Sequence, residues 1–126
     1  MFELEAAIWQ SGQWHTVVIS GSTTIESIVP RHESQHPERR LLPGCIDCHV
    51  HGGGGVDVMS GEGALREMLQ VHASPGLSGL VATTVTSSDH AINQVIDAAA
   101  RVMAAPDSRS ARLFGVHLEG PYLSPE

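Results

Sequence analysis

Along residues 1–30 apolar and polar positions alternate in short runs, "ELEAAIWQ", "WHTVVISG" and "TTIESIV", separated by Ser-Gly and Gly-Ser pairs. Period-two alternation between turn signals is how the strands of a small antiparallel sheet read. Three strands are expected there, with Trp9 and Trp14 as packing residues and His15 as a surface strand residue. Residues 31–42, including "RHESQHPERR", have the composition of a solvated loop. The pattern then changes. "GCIDCHVH" is strand-like, and "GEGALREMLQVHAS" carries Ala64, Leu65, Met68, Leu69 and Val71 at helical spacing and stops at Pro75-Gly76. "SGLVATTVTS" is a β-branched run suited to a buried strand. "SDHAINQVIDAAARVMAA" reads as a helix capped by Ser88 or Asp89 and ended before Pro106, and "ARLFGVHLEG" as a third strand. A β-α-β-α-β order implies a parallel sheet in an α/β fold, the start of either a doubly wound sheet or a (β/α)8 barrel.

Composition narrows the function classes. With 126 residues, 41% hydrophobic and 17% charged, the chain has the size and balance of one ordinary globular domain. A net charge of -7 with seven Lys and Arg gives no clustered positive field for phosphates, which argues against nucleic acid. No segment approaches the ~20 apolar residues that cross a bilayer, and "MFELEAAIWQ" lacks the basic start and apolar core of a signal peptide. No membrane partner is expected, and the cytoplasm is the expected compartment.

The chemistry concentrates in "PGCIDCHVHGGGG", which holds two overlapping signatures. Cys45 to His49 is C-x-x-C-H, the attachment pattern of c-type haem; Asp47 to His51 is D-x-H-x-H, a metal-hydrolase pattern. Strict strand alternation puts Cys45, Asp47, His49 and His51 on one face and Ile46, Cys48 and Val50 on the other. The two cysteines then lie about 10 Å apart at Cα, beyond the reach of a disulfide and badly placed to share a zinc ion. They are expected to behave as small buried apolar residues. His49 and His51, two residues apart, point the same way, and their imidazoles can converge on one ion through bonds of ~2.0–2.1 Å. Four glycines follow at once, permitting sharp turns and close approach of backbone to a ligand.

A second constellation, "HLEGPY", ends the third strand. Glu119 stands where Gly120-Pro121 turns the chain, at the strand edge that His49 and His51 also reach, so its carboxylate is a candidate third ligand for a divalent metal. His117 suits a hydrogen-bonded structural role and a site role equally. His32, His36, His72 and His90 are expected at the surface, and Asp57 in a turn or cap. Two imidazoles and a carboxylate suit zinc first, and also iron, manganese or cobalt.

Taken together, "PGCIDCHVHGGGGVDVM", "GLVATTVTS" and "HLEGPYLSPE" resemble the N-terminal third of the N-acetylglucosamine-6-phosphate deacetylase family of the amidohydrolase superfamily. The resemblance implies the first three βα units of a (β/α)8 TIM-type barrel, from residue 43 to 126, preceded by the N-terminal part of a β-sandwich domain in residues 1–42. Residues 45–51, 80–86 and 112–119 would be the first three barrel strands, and His49, His51 and Glu119 the metal ligands. The implied reaction hydrolyses N-acetylglucosamine 6-phosphate, a small-molecule amino-sugar phosphate, to glucosamine 6-phosphate and acetate, in an enzyme that commonly forms homodimers. The family's general base is an aspartate of the last barrel strand, so it is expected beyond Glu126, and the chain reads as an incomplete fragment. Two other readings stay open. One is a different amidohydrolase, dihydroorotase-like or a nucleobase deaminase; the other is a non-catalytic metal-binding fragment.

Overall fold

A computed structural model describes residues 1–31, 38–74 and 76–123. The chain divides into two compact units, Met1–Pro43 and Gly44–Glu126. In the first, β1 (Phe2–Gln10), β2 (Gln13–Gly21) and β3 (Ile25–Pro30) form an antiparallel meander, and β4 (Arg40–Leu41) pairs in parallel with β1. Ser11 and Gly12 turn β1 into β2 with positive φ at both positions, the twist that a two-residue hairpin requires. Trp9 faces Trp14 across the ladder, ring edge to ring face at 5.3 Å, and the Arg40 guanidinium lies 5.0 Å from the Trp14 ring. The short strand β4 corrects the loop reading of residues 31–42. Two residues carry too little pattern to be seen in a sequence and are ordered only by pairing with β1. His32 and His36 lie outside the described residues.

The second unit is a mixed α/β layer. Its parallel sheet has the order β5 (Cys45–Val50), β8 (Leu77–Thr83), β9 (Arg112–His117). Helix α1 (Glu62–Ala73) connects β5 to β8, and α2 (Asp89–Ala104) connects β8 to β9. Between β5 and α1 lie a miniature hairpin, β6 (Gly52–Gly53) and β7 (Val56–Asp57), and a 3-10 turn at Val58–Ser60. Each helix carries one apolar stripe: Leu65, Met68 and Leu69 on α1, and Val95, Ala98, Ala99 and Val102 on α2. These stripes form one core with Leu80 and Ala82 of β8, Leu113 of β9 and Val50 of β5. Full burial of a side chain such as Leu80 stabilises the unit by about 1.5–3 kcal/mol. Ser88 caps α2 by accepting the Ala91 N–H at 3.3 Å. Glu62 ties the two helices by accepting from Arg101 and Arg66, both at 2.9 Å, and those contacts hold its carboxyl below the usual glutamate range, Arg101 contributing most. No helix among the described residues is long and apolar enough to cross a membrane.

Strand limits differ from the sequence reading in a consistent way. Strand β8 covers Leu77–Thr83 rather than residues 80–86, β9 stops at His117 rather than Glu119, and β5 stops at Val50 rather than His51. The β-branched run does continue past Thr83, but the hydroxyls of Thr84 and Thr86 bond the backbone carbonyls of His117, at the end of β9, and of Glu119, beyond it, instead of extending a ladder. Cys45 and Cys48 are exposed, contrary to the expected burial. Within the described sheet β5 pairs only with β8, so its side chains have a neighbouring strand on one side alone.

Candidate metal centre

The site is built at the C-terminal ends of the three parallel strands, where side chains leave the sheet. On β5 the register with β8 shifts: Asp47 stands opposite Leu80 and Val50 opposite Ala82, so between these two pairings β5 holds one residue more than β8, reversing the shift at Cys45/Ile46. This irregularity breaks the strict alternation expected for residues 45–51. The Asp47 carboxylate fills the gap by accepting the His49 N–H at 3.0 Å. The shift ends before Val50, whose N–H donates to Thr83 Oγ1 at 3.1 Å, so His49 and His51 remain a same-side pair.

His51 is followed by the glycine hairpin. Gly54 and Gly55 occupy its turn with φ of 67° and 92°, a conformation that side chains disfavour and glycine adopts freely. The hairpin folds back so that Val58 N–H donates to the His51 carbonyl at 2.8 Å, and Asp57 caps the 3-10 turn by accepting the Met59 N–H at 2.7 Å. His72 is half-buried and sits against this hairpin, its Nε2 3.1 Å from the Gly52 carbonyl. His90 is exposed, and His15 lies 3.2 Å from the Gln10 carbonyl in the other unit.

Glu119 reaches the site from two residues beyond β9. Gly120 at φ 100° reverses the chain immediately after it, and the following peptide bond to Pro121 is cis. Three threonines at the end of β8 fix this approach. Thr83 is fully buried and its carbonyl accepts from His51 Nδ1 at 3.1 Å; Thr84 N–H donates to the His117 carbonyl at 3.0 Å; Thr86 Oγ1 donates to the Glu119 carbonyl at 3.4 Å. The β-branched pattern alone predicts a strand through this run. A cluster of threonines, Thr83, Thr84 and Thr86, running off the end of a strand is the available signal that hydroxyls are spent on neighbouring backbone.

His49 Nε2, His51 Nε2 and Glu119 Oε2 form a near-equilateral triangle, with the two nitrogens 3.0 Å apart and each 3.1 Å from the oxygen. Among the described residues this is the group of His, Cys, Asp or Glu side chains whose donor atoms could hold a metal ion. Donors that share one ion through bonds of ~2.0–2.2 Å are held at about this separation. The Nδ1 hydrogen of His51 is assigned by its carbonyl partner, which leaves the Nε2 lone pair turned inward. Glu119 Oε2 is shut away from solvent, and although it lies close to both nitrogens it makes no hydrogen bond of adequate geometry. One oxygen of this half-buried carboxylate is thus enclosed without a donor, an arrangement that a cation facing it would relieve. The donor set and the orphaned oxygen both fit a divalent ion. Cys45 and Cys48 are absent from the group, and His117, exposed at the end of β9, touches it only through its ring, 5.1 Å from that of His49.

No family model matches the chain. Over 89 residues it is 38% identical to N-acetylglucosamine-6-phosphate deacetylase of Bacillus subtilis (strain 168), which accounts for 68% of this chain and 22% of that protein. The chain is a homologue of the N-acetylglucosamine-6-phosphate deacetylases. It is also 33% identical over 99 residues to N-acetylgalactosamine-6-phosphate deacetylase of Escherichia coli O157:H7, covering 78% of this chain and 26% of the relative. The crystal structure of N-acetylglucosamine-6-phosphate deacetylase from Thermotoga maritima superposes with a TM-score of 0.82 at 29% identity, over 98% of this chain and 33% of that one. The chain thus spans about a fifth to a third of the length of these deacetylases, and its mixed α/β fold matches the Thermotoga maritima structure over that span.

Proposed function

We propose that these residues form the metal-bearing first part of a deacetylase that hydrolyses N-acetylglucosamine 6-phosphate to glucosamine 6-phosphate and acetate. The observation that carries this reading is the convergence of His49, His51 and Glu119 at 3.0–3.1 Å in a chain 38% identical to a deacetylase of that name. In this reading β5, β8 and β9 are the first three strands of a (β/α)8 barrel, and the sheet of residues 1–42 belongs to a β-sandwich domain. Barrel enzymes carry their sites at the C-terminal strand ends, where the three donors lie.

His49, His51 and Glu119 would hold the ion, zinc by preference and iron, manganese or cobalt by the same donor chemistry. A divalent cation there supplies Lewis-acid polarisation of the acetamide carbonyl and makes hydroxide available near neutral pH. The chain's own residues do the positioning. The Thr83 carbonyl fixes the His51 tautomer, Asp47 holds the His49 backbone, and Thr86 holds the Glu119 backbone. Hydrolysis adds water across the C–N bond: hydroxide goes to the acetyl carbon, a proton to the leaving amine. In this reading the group that moves this proton is the family's late aspartate, which the resemblance puts outside residues 1–126.

The Escherichia coli O157:H7 relative acts by its name on the galacto epimer, which makes N-acetylgalactosamine 6-phosphate the second substrate to test. The test measures acetate release from both epimers by the metal-loaded protein that contains this segment together with a complete site. Release from the gluco epimer, abolished by Glu119→Gln, is the expected result. A folded, metal-loaded protein that releases acetate from neither epimer would contradict the proposal.

A further inference from the structure

We propose that His117 is a positioning residue that holds the His49 imidazole in its site-directed orientation through an edge-to-face ring contact. The two histidines of the pair are held differently. His51 is fixed from outside the triangle, because its Nδ1 lies 3.1 Å from the carbonyl of fully buried Thr83. A ligating histidine usually has such a hydrogen bond on its second nitrogen, and it sets the ring orientation. Among the described residues His49 Nδ1 has no hydrogen-bond partner; the ring's polar contacts are the two made by Nε2 inside the triangle. The His49 side chain is also 53% exposed, so burial does not fix its rotamer.

What does face the ring is aromatic. His49 lies between His51, with centroids 4.9 Å apart at an interplanar angle of 71°, and His117, at 5.1 Å and 61°. Both are edge-to-face geometries, which aromatic rings favour over a parallel sandwich. The His117 ring is presented from a fixed backbone: Thr84 N–H donates to its carbonyl at 3.0 Å, and it pairs in register with Thr83. Thus one threonine carbonyl orients His51, while a ring held by the next threonine orients His49. The consequence for metal binding rests on the metal reading of the triad; the rotamer consequence does not.

Two variants and two readouts test this on the 126-residue chain. With 13C-labelled histidine and no metal, the side-chain couplings of His49 should report one χ1 rotamer in the parent chain and in His117→Phe, and rotamer averaging in His117→Ala. On titration with cobalt, His117→Ala should bind about three- to tenfold more weakly, the range worth of one aromatic contact, while His117→Phe keeps the parent affinity and visible spectrum. A single His49 rotamer in His117→Ala would overturn the proposal. So would a folded His117→Phe that behaves like His117→Ala, because the imidazole nitrogens, not the ring face, would then matter. If the parent chain takes up no cobalt but the coupling pattern holds, the metal reading falls and the positioning role stands.

Discussion

Replacing Glu119 by Gln should lower the affinity of the chain for zinc or cobalt about a hundredfold or more, with the fold intact. The substitution keeps the size of the side chain and removes its charge. In the parent chain the enclosed Oε2 stands 3.1 Å from both imidazole nitrogens without a hydrogen bond. A neutral amide supplies a weaker oxygen donor for a hard divalent ion and, in its other orientation, presents an NH2 group that repels it. Changes in mere supporting partners of metal ligands already cost 10- to 100-fold, so loss of a ligand's charge belongs at or above that upper end. Competition with a chelating indicator measures the affinity, and circular dichroism checks the fold.

Gly120→Ala should damage the same site without touching a donor atom. At φ 100° an alanine is strained whatever the surroundings, a cost of about 1–3 kcal/mol. The added methyl would also collide with Thr86 Oγ1 and stand 3.1 Å from Thr86 Cα. The hydroxyl can rotate away, but the backbone atom cannot, so the Glu119–Gly120 segment must move. Because Thr86 Oγ1 also donates to the Glu119 carbonyl, the displacement reaches the ligand. Thermal unfolding should show destabilisation of that size, and metal affinity should fall about 10- to 100-fold, as for other supporting groups. Unchanged affinity would mean that Glu119 is not held by this turn.

These two positions also show what could be read from the residues. The helices and the three strands of the first unit follow from periodicity and punctuation: the Leu65, Met68 and Leu69 stripe, the Ser88 cap and the Ser11-Gly12 turn are local events that sequence records. The i, i+2 placement of His49 and His51 is likewise local. The limits of β8 and β9 are not, because they depend on which backbone groups the neighbouring strand can still reach, and Thr84 and Thr86 turn to the carbonyls of His117 and Glu119 instead of continuing a ladder. The extra residue in β5, with Asp47 accepting the His49 N–H, is a property of the pairing with β8, and no count of residues along one strand reveals it. The exposure of Cys45 and Cys48 depends in the same way on which strands pair with β5. The contact between His117 and His49 joins residues 68 positions apart in the sequence and exists only because β8 lies between their strands.

The overlap of C-x-x-C-H and D-x-H-x-H in residues 45–51 is resolved most directly by identifying the atoms bound to the metal. X-ray absorption at the zinc edge of the zinc-loaded chain should show a first shell of nitrogen and oxygen only, at ~2.0–2.2 Å, with the outer-shell scattering of two imidazoles, supplied by His49, His51 and Glu119. Sulfur scatterers at about 2.3 Å, supplied by Cys45 or Cys48, would contradict the account.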